Sequence, residues 1–267
     1  MAASVGKAAR ILRAFCPTLN VLSVRALADR TGLPRSTVHL LCRALVSEGL
    51  LEVVPRAGYR LGPLLLELGG LIIDRTGLVE AVEGSTPGLQ RSAGQELHVG
   101  QLVEGWVIYV HRQSGPIRVS MMNRVGMRVP VFMSGCGKIA LAALDPEDAD
   151  QRVRRVCRQE QISLPDMAAL AEELASARIQ GYLVCRSFQP RRTSVAAAVI
   201  GADGQPAGAL SIAGPDSTFA PARLADLGRA VSETAEIASR RLQSRPSSAA
   251  ARSTPDVLAA PMRLVAG

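Results

Sequence analysis

The spacing of apolar residues changes several times along the chain, and each change marks an element. Over residues 5–15 (VGKAARILRAF) Val5, Ala8, Ala9, Leu12 and Phe15 fall on one helical stripe, with Lys7, Arg10 and Arg13 off it. Pro17 and Asn20 interrupt this pattern. Ser23 is placed to cap a helix from Val24 to about Asp29, with Leu27 and Ala28 facing inward. Thr31-Gly32-Leu33-Pro34 reads as a tight turn, with Gly32 suited to positive φ and Pro34 to the first turn of a helix. That helix runs to about Ser47 on an apolar face of Val38, Leu41, Leu45 and Val46, and Gly49 closes it. Leu50–Val54 and Tyr59–Leu61 then read as strands of a hairpin whose tip is Pro55-Arg56-Ala57-Gly58.

Residues 63–82 carry a helical pattern weakened at Gly69-Gly70. From about 94 to 132 the period becomes that of strands (LHVGQLV, WVIYVHR, IRVSM, RVPVF), and from about 137 to 180 it is helical again. Strands return at YLVCR, SVAAAVIGA and AGALSIAG, the last two joined by an Asp203-Gly204 turn. A final helix is expected over about 221–243. Residues 244–267, rich in Ser, Ala and Pro, read as a disordered tail.

Charge sharpens this division. The 267 residues hold 31 basic and 23 acidic side chains, a balance of +8. Nine basic residues stand against Asp29, Glu48 and Glu52 in the first 65, so most of the excess is N-terminal. A local excess of this kind suits a polyanion, either nucleic acid or a membrane surface. No stretch is long and apolar enough to span a membrane, and MAASVGKAARILRAF lacks the apolar core of a secretory leader. Five scattered cysteines (16, 42, 136, 157, 185) without a C-x-x-C pair fit reduced thiols in a cytosol. Eight aromatic residues are too few for a base-stacking platform.

Residues 22–62 carry the most specific chemistry. Ala28 is small where two helices cross, Gly32 turns the chain, and Val38 fills the space between the helices, which is the spacing of a helix-turn-helix. The second helix then exposes Arg35, Ser36, Thr37, His39 and Arg43, side chains suited to phosphates and base edges in a major groove. Arg56 and Arg60 place positive charge on the hairpin, in the position of a wing. A three-helix structural module and a membrane-surface helix are the competing readings; the agreement of turn, core and exposed donors favours double-stranded DNA.

The chain resembles the IclR-type bacterial transcriptional regulators over about residues 4–240. The resemblance rests on Leu27-Ala28, Thr31-Gly32-Leu33-Pro34, Ser36-Thr37-Val38-His39 and Tyr59-Arg60-Leu61-Gly62-Pro63. It continues through Arg124-Val125-Gly126, Gly137-Lys138, Gly181-Tyr182, Ala202-Asp203-Gly204 and Ala209 to Pro215. It implies an α+β chain: a winged helix-turn-helix over 1–62, a linker helix over 63–83, and an effector-binding domain over 84–243 built as a GAF-like antiparallel sheet with flanking helices. It also implies a homodimer or homotetramer, acting as repressor or activator. Leu40 departs from the family, which commonly has Arg there, so one DNA contact is expected to differ.

The segment Arg128–Leu144 (RVPVFMSGCGKIALAAL) invites enzymatic readings that its context rejects. Gly135-x-Gly137-x-x-Ala140 imitates a dinucleotide fingerprint, but no second strand ending in an acid follows. Phe132 and Ile139 occupy the Gly and Ser/Thr positions of a phosphate-binding loop, and Ser134 and Lys138 are not spaced as S-x-x-K. What survives is a cradle: helix-start N–H groups after Ser134-Gly135-Cys136-Gly137, with Lys138 beside them, suit a carboxylate. Tight packing alone is the competing account of the two glycines. The resemblance implies the same loop as pocket lining, with Ser194 and Ser211 on later strands. Phe132, Ser134, Cys185, Ser187 and Ser194 differ from common family residues, so the expected pocket is less acidic and the expected effector a small organic acid, aromatic acids included.

His98 and His111, on β-patterned segments, are conceivable metal ligands but read better as solvent-facing or hydrogen-bonded. Met121-Met122 and Met127 read as core or pocket lining, and the cysteines as inert buried thiols. No cofactor or metal is expected. An enzyme fused to a DNA-targeting domain and a ligand-free architectural protein are the competing classes; no nucleophile-base pair supports the first, and a nearly neutral second domain opposes the other.

Overall fold

The computed structural model describes residues 2–16, 18–86, 89, 95–115, 124–186 and 191–245. The chain divides into two compact units, Met1–Asp74 and Arg75–Gly267.

The first unit holds α1 (Ala2–Arg13), α2 (Val24–Thr31), α3 (Arg35–Ser47) and the hairpin β1 (Leu51–Val54) and β2 (Gly58–Leu61). Ser23 caps α2 by accepting from the Ala26 N–H at 3.2 Å. Gly32 stops α2 in the left-handed region at φ 65°, where its N–H reaches the Ala28 carbonyl. Val38 and Leu27 are fully buried between the helices, as the helix-turn-helix spacing requires. Two expectations need correction. The deeply buried residues of α1 and the segment after it are Ile11 and Ala14; of the expected stripe Ala8, Leu12 and Phe15 pack half-buried beside them, while Val5 is exposed. On α3 the third deeply buried residue is Cys42; Leu41 and Val46 are half-buried. The set 38, 42, 45 follows the i, i+4, i+7 line that touches the core. A pair of backbone hydrogen bonds, each 2.9 Å, ties Leu22 to Tyr59 and fastens the hairpin to the strand-like entry of α2.

α4 (Leu64–Thr76) runs through Gly69-Gly70, where the helical pattern weakens. Helix formation is cooperative, and apolar residues on both sides of the glycines carry it across. The break comes at Gly77, held at φ 62°, after which α5 (Leu78–Glu83) begins.

The second unit is built on a six-stranded antiparallel sheet. Its strands are β3 (Glu96–Val103), β4 (Trp106–Gln113), β5 (Arg128–Pro130), β6 (Leu183–Arg186), β7 (Arg192–Ile200) and β8 (Pro206–Pro215), in the order β5-β4-β3-β8-β7-β6. RVPVF is therefore only a three-residue strand; Val131–Met133 turns as a 3-10 helix after Pro130. The IRVSM segment, Met121-Met122, Ser187 and the tail from 246 onward lie outside the described residues. The Asp203-Gly204 turn joins β7 and β8, with Asp203 Oδ1 accepting from the Gln205 N–H at 3.0 Å.

Three more helices, α6 (Gly135–Ala142), α7 (Pro146–Glu160) and α8 (Met167–Gln180), cover one face, and α5 with α9 (Leu224–Ser244) covers the other. Alternation along the strands sorts the side chains between these layers. Leu97, Val99, Val195, Val199, Leu210 and Ile212 face α5 and α9. Opposite them, Ala196, Ala198 and Ala209 meet α6, a short, mostly buried helix at the centre of that layer.

α6 is tightly packed at two of its glycines, one against the 3-10 turn that precedes it and one against the sheet. A Cβ on Gly137 would fall 2.0 Å from the Val131 carbonyl oxygen, and one on Gly135 would fall 2.5 Å from Ser194 Oγ. Gly137→Ala is therefore expected to cost about 1–3 kcal/mol in thermal unfolding. Gly69→Ala, whose Cβ meets nothing within 4 Å in a helix interior, is expected to gain about 0.5–1 kcal/mol in the same assay.

Candidate functional site

Two groups of side chains stand out, one in each unit. In the first, α3 presents Arg35, Ser36, His39 and Arg43 to solvent, with Thr37 half-buried at the edge of that face. Arg56 lies at the hairpin tip in the left-handed region, φ 62°. None of Arg35, Arg43 and Arg56 has an ion-pair partner among the described residues. Arg60 differs: Glu52, its cross-strand partner, accepts from its Nε at 2.5 Å. Exposed pairs of this kind contribute little to stability, and they leave a guanidinium less free for a phosphate.

In the second unit the strand register assembles a buried polar surface beneath α6. One row across the sheet reads Arg112, His98, Ser211, Ala196, Leu183; the next reads Glu96, Ala213, Ser194, Cys185. Ser134 caps α6, its Oγ accepting from the Gly137 N–H at 3.1 Å, so one N–H of the expected cradle is already satisfied. Cys136 donates to Ser211 Oγ at 3.2 Å, and Ser194 donates to the Cys185 carbonyl at 3.4 Å. Lys138 turns the other way along the helix, and its ammonium donates to Glu173 on α8 at 2.7 Å. The structure thus brings Ser134, Gly135, Cys136, Gly137, Ser194 and Ser211 together and pairs Lys138 with a carboxylate. Cavities of about 270 and 200 Å³ lie elsewhere, beside Phe219 and Leu227 and between α7 and α8.

Burial pushes the Cys136 thiol up to about 11 and raises those of Cys185 and Cys157, while Cys42 is moved to about 11 for the same reason. These four thiols stay protonated at neutral pH and are poor nucleophiles. Cys16, by contrast, is lowered by its hydrogen bond with Thr18.

Sequence reasoning missed the most strongly held charge on this surface. Glu96 is 1% exposed, and Arg112 grips both its oxygens, at 3.2 and 2.6 Å. Nε2 of His98 lies 3.4 Å from the same carboxylate, and the ring stands edge-on to Tyr109. Nδ1 of His98 is buried with no hydrogen-bond partner among the described residues. His98 is therefore not solvent-facing, and His111 lies on the opposite face near Glu83, so the two do not form a metal pair. The legible signal was the alternation Glu96-x-His98, which puts two polar side chains on a covered face.

Residues 4–55 match the family described as the IclR helix-turn-helix domain. Residues 71–240 match the one described as bacterial transcriptional regulator IclR C-terminal. The chain belongs to the IclR family. It is a DNA-binding transcriptional regulator with a C-terminal effector-binding domain, and its matched relatives are regulators, not enzymes. The glycerol operon regulatory protein of Streptomyces griseus is 30% identical over 245 residues, 90% of this chain and 96% of that one. The regulator XynR of Escherichia coli is 29% identical over 182 residues, 67% of this chain and 72% of that one. Among solved structures, an IclR homolog from Microbacterium hydrocarbonoxydans complexed with 4-hydroxybenzoate superposes with a TM-score of 0.74 at 24% identity, covering 89% of this chain and 99% of that one. The IclR of Thermotoga maritima does so at 0.68 and 20%, covering 91% and 100%. No helix among the described residues is long and apolar enough to cross a membrane.

Burial alone raises the Glu96 carboxyl, but the contacts from His98 and Arg112 outweigh it and hold the group below its ordinary value. A depressed carboxylate stabilises the fold above its unfolded pKa and loses that contribution as pH falls through the lowered folded value. Glu96→Gln is expected to lower stability at neutral pH by about 1–3 kcal/mol. The gap between wild type and variant, read from denaturant melts, should stay constant at neutral pH and close as pH drops below the ordinary carboxylate range.

Proposed function

We propose that α3 lies in the major groove of an operator, with Arg35, Ser36, Thr37, His39 and Arg43 at base edges and phosphates and with Arg56 and Arg60 of the hairpin on the flanking backbone. The unpaired, exposed guanidinium groups of α3 and the hairpin tip carry this reading. Arginine without an internal acid is a cation left for a phosphate or a guanine edge. Operator binding is modulated by a small organic acid held by the α6 segment Ser134–Lys138 with Ser194 and Ser211. The complex of the Microbacterium homolog with 4-hydroxybenzoate supports an acid of that class. Because Glu173 holds Lys138, an anionic effector gains the ammonium only by displacing that acid.

The regulator acts as a homodimer or homotetramer in the bacterial cytosol. α4 supports this: it has no fully buried residue, yet Leu68, Leu71 and Ile72 lie exposed along one stripe and Leu66 on another. A helix apolar on several faces is one that a partner covers. The linker span 63–83 then couples the effector domain, GAF-like in plan, to the spacing of two recognition helices.

In a salt-titrated fluorescence anisotropy assay, Arg35→Ala or Arg43→Ala is expected to weaken operator binding and reduce the salt slope by about 1 each, with thermal unfolding unchanged. Equal binding by both variants would remove α3 from the interface. Calorimetry with a panel of small carboxylates, 4-hydroxybenzoate included, addresses the effector site. Lys138→Met should weaken the bound acid about tenfold or more, whereas Glu173→Gln should tighten it.

A further inference from the structure

α3 carries one large exposed apolar side chain that its polar role does not explain. Leu40 is 69% exposed, in the middle of the face formed by Ser36, His39 and Arg43. With 3.6 residues per turn it lies roughly 200° around the helix from both Val38 and Cys42, which are fully buried. It therefore stands on the outermost ridge of the helix, one turn after Ser36 and one turn before Arg43. A single exposed leucine elsewhere on a surface would need no explanation. Here it is the one large apolar side chain on a face otherwise made of hydrogen-bond donors, cations and the small Ala44.

Resting on the reading of α3 as the DNA-reading helix, we propose that Leu40 reads thymine, packing against its 5-methyl group at one position of each operator half-site. The chemistry of the major groove decides the partner. Base edges there present acceptors and amino donors, and the thymine methyl is their one apolar group. A leucine cannot pair with a phosphate or an acceptor, and against those groups it would only strip water from them. Ser36 and Arg43 on the same ridge supply the polar contacts that hold the helix in register, Arg43 having the fork that suits guanine. Leu40 thus discriminates at one base pair without adding to the electrostatic part of binding.

The test begins with duplexes selected from a randomised library by the full-length protein, followed by replacement of each thymine by deoxyuridine, which removes only the methyl. Wild type is expected to lose about fourfold in affinity at one thymine of each half-site at fixed salt, the equivalent of one buried methyl-sized group. Leu40→Ala should bind the thymine and deoxyuridine duplexes equally at that position and keep the wild-type salt slope. Arg43→Ala should bind both more weakly and preserve their ratio. A wild type indifferent to deoxyuridine everywhere overturns the proposal, as does a Leu40→Ala variant that keeps the ratio. If Leu40→Ala instead changes sedimentation of the DNA-free protein and leaves the ratio intact, Leu40 belongs to a contact between copies. Should Arg35→Ala and Arg43→Ala bind the selected duplexes like wild type, it is the placement of α3 that fails. Arginine variants that weaken binding while deoxyuridine stays silent would retire the thymine contact alone.

Discussion

The second unit depends on how closely α6 approaches the sheet. Gly135 lies against the Ser194 side chain on β7, and Gly137 against the backbone carbonyl of Val131 in the turn that leads into the helix. The sheet answers with small residues, Ala196, Ala198, Ala209 and Gly100. Cys136 reaches Ser211 directly, Ser134 serves its own helix as cap, and α7 and α8 pack outside α6 instead of on the strands. Interiors at crystal-like density tolerate little change in such a contact, so the glycines act through volume. The packing account of the two glycines is thus supported on its own terms, independently of any ligand.

The N-terminal unit was largely legible because its signals are local. Ser23, Gly32 and the pair Val38 and Leu45 each act within a few residues, through a cap, a left-handed turn and a helical stripe, although the stripe's third member is Cys42 and not Leu41. Legibility ran out where tertiary structure decides. The Gly69-Gly70 pair has low helix propensity, yet the helix passes through it and ends at Gly77, where the backbone turns left-handed. In α1 the deepest positions, Ile11 and Ala14, were missed, and Arg10 and Arg30 hold that segment through carbonyls of Thr31 and Ala14, contacts no periodicity reveals. At the candidate effector site, Ser134, Gly135 and Gly137 were visible as a motif. Glu96, His98 and Arg112 were not, since a carboxylate and its guanidinium sixteen residues apart meet only through the register of β3 and β4.

That cluster also shows how a sheet face can be polar and dry together. Glu96 is ionised because Arg112 closes on both oxygens, and the Cys136 and Cys185 thiols remain neutral because burial opposes their ionisation. The seam beneath α6 therefore holds one compensated charge pair among neutral hydroxyls and thiols. Any group entering it exchanges hydrogen bonds with those neutral partners, a setting that rewards shape and hydrogen-bond placement over net charge.

The paired hydrogen bonds between Leu22 and Tyr59 have a mechanical meaning. They clamp the hairpin to the segment that leads into α2, and α2 is locked to α3 through Leu27 and Val38. Arg56 and Arg43 consequently keep a fixed separation, like two marks on one ruler. On the operator reading proposed above, control would lie in where this unit is placed along the double helix and not in its internal shape.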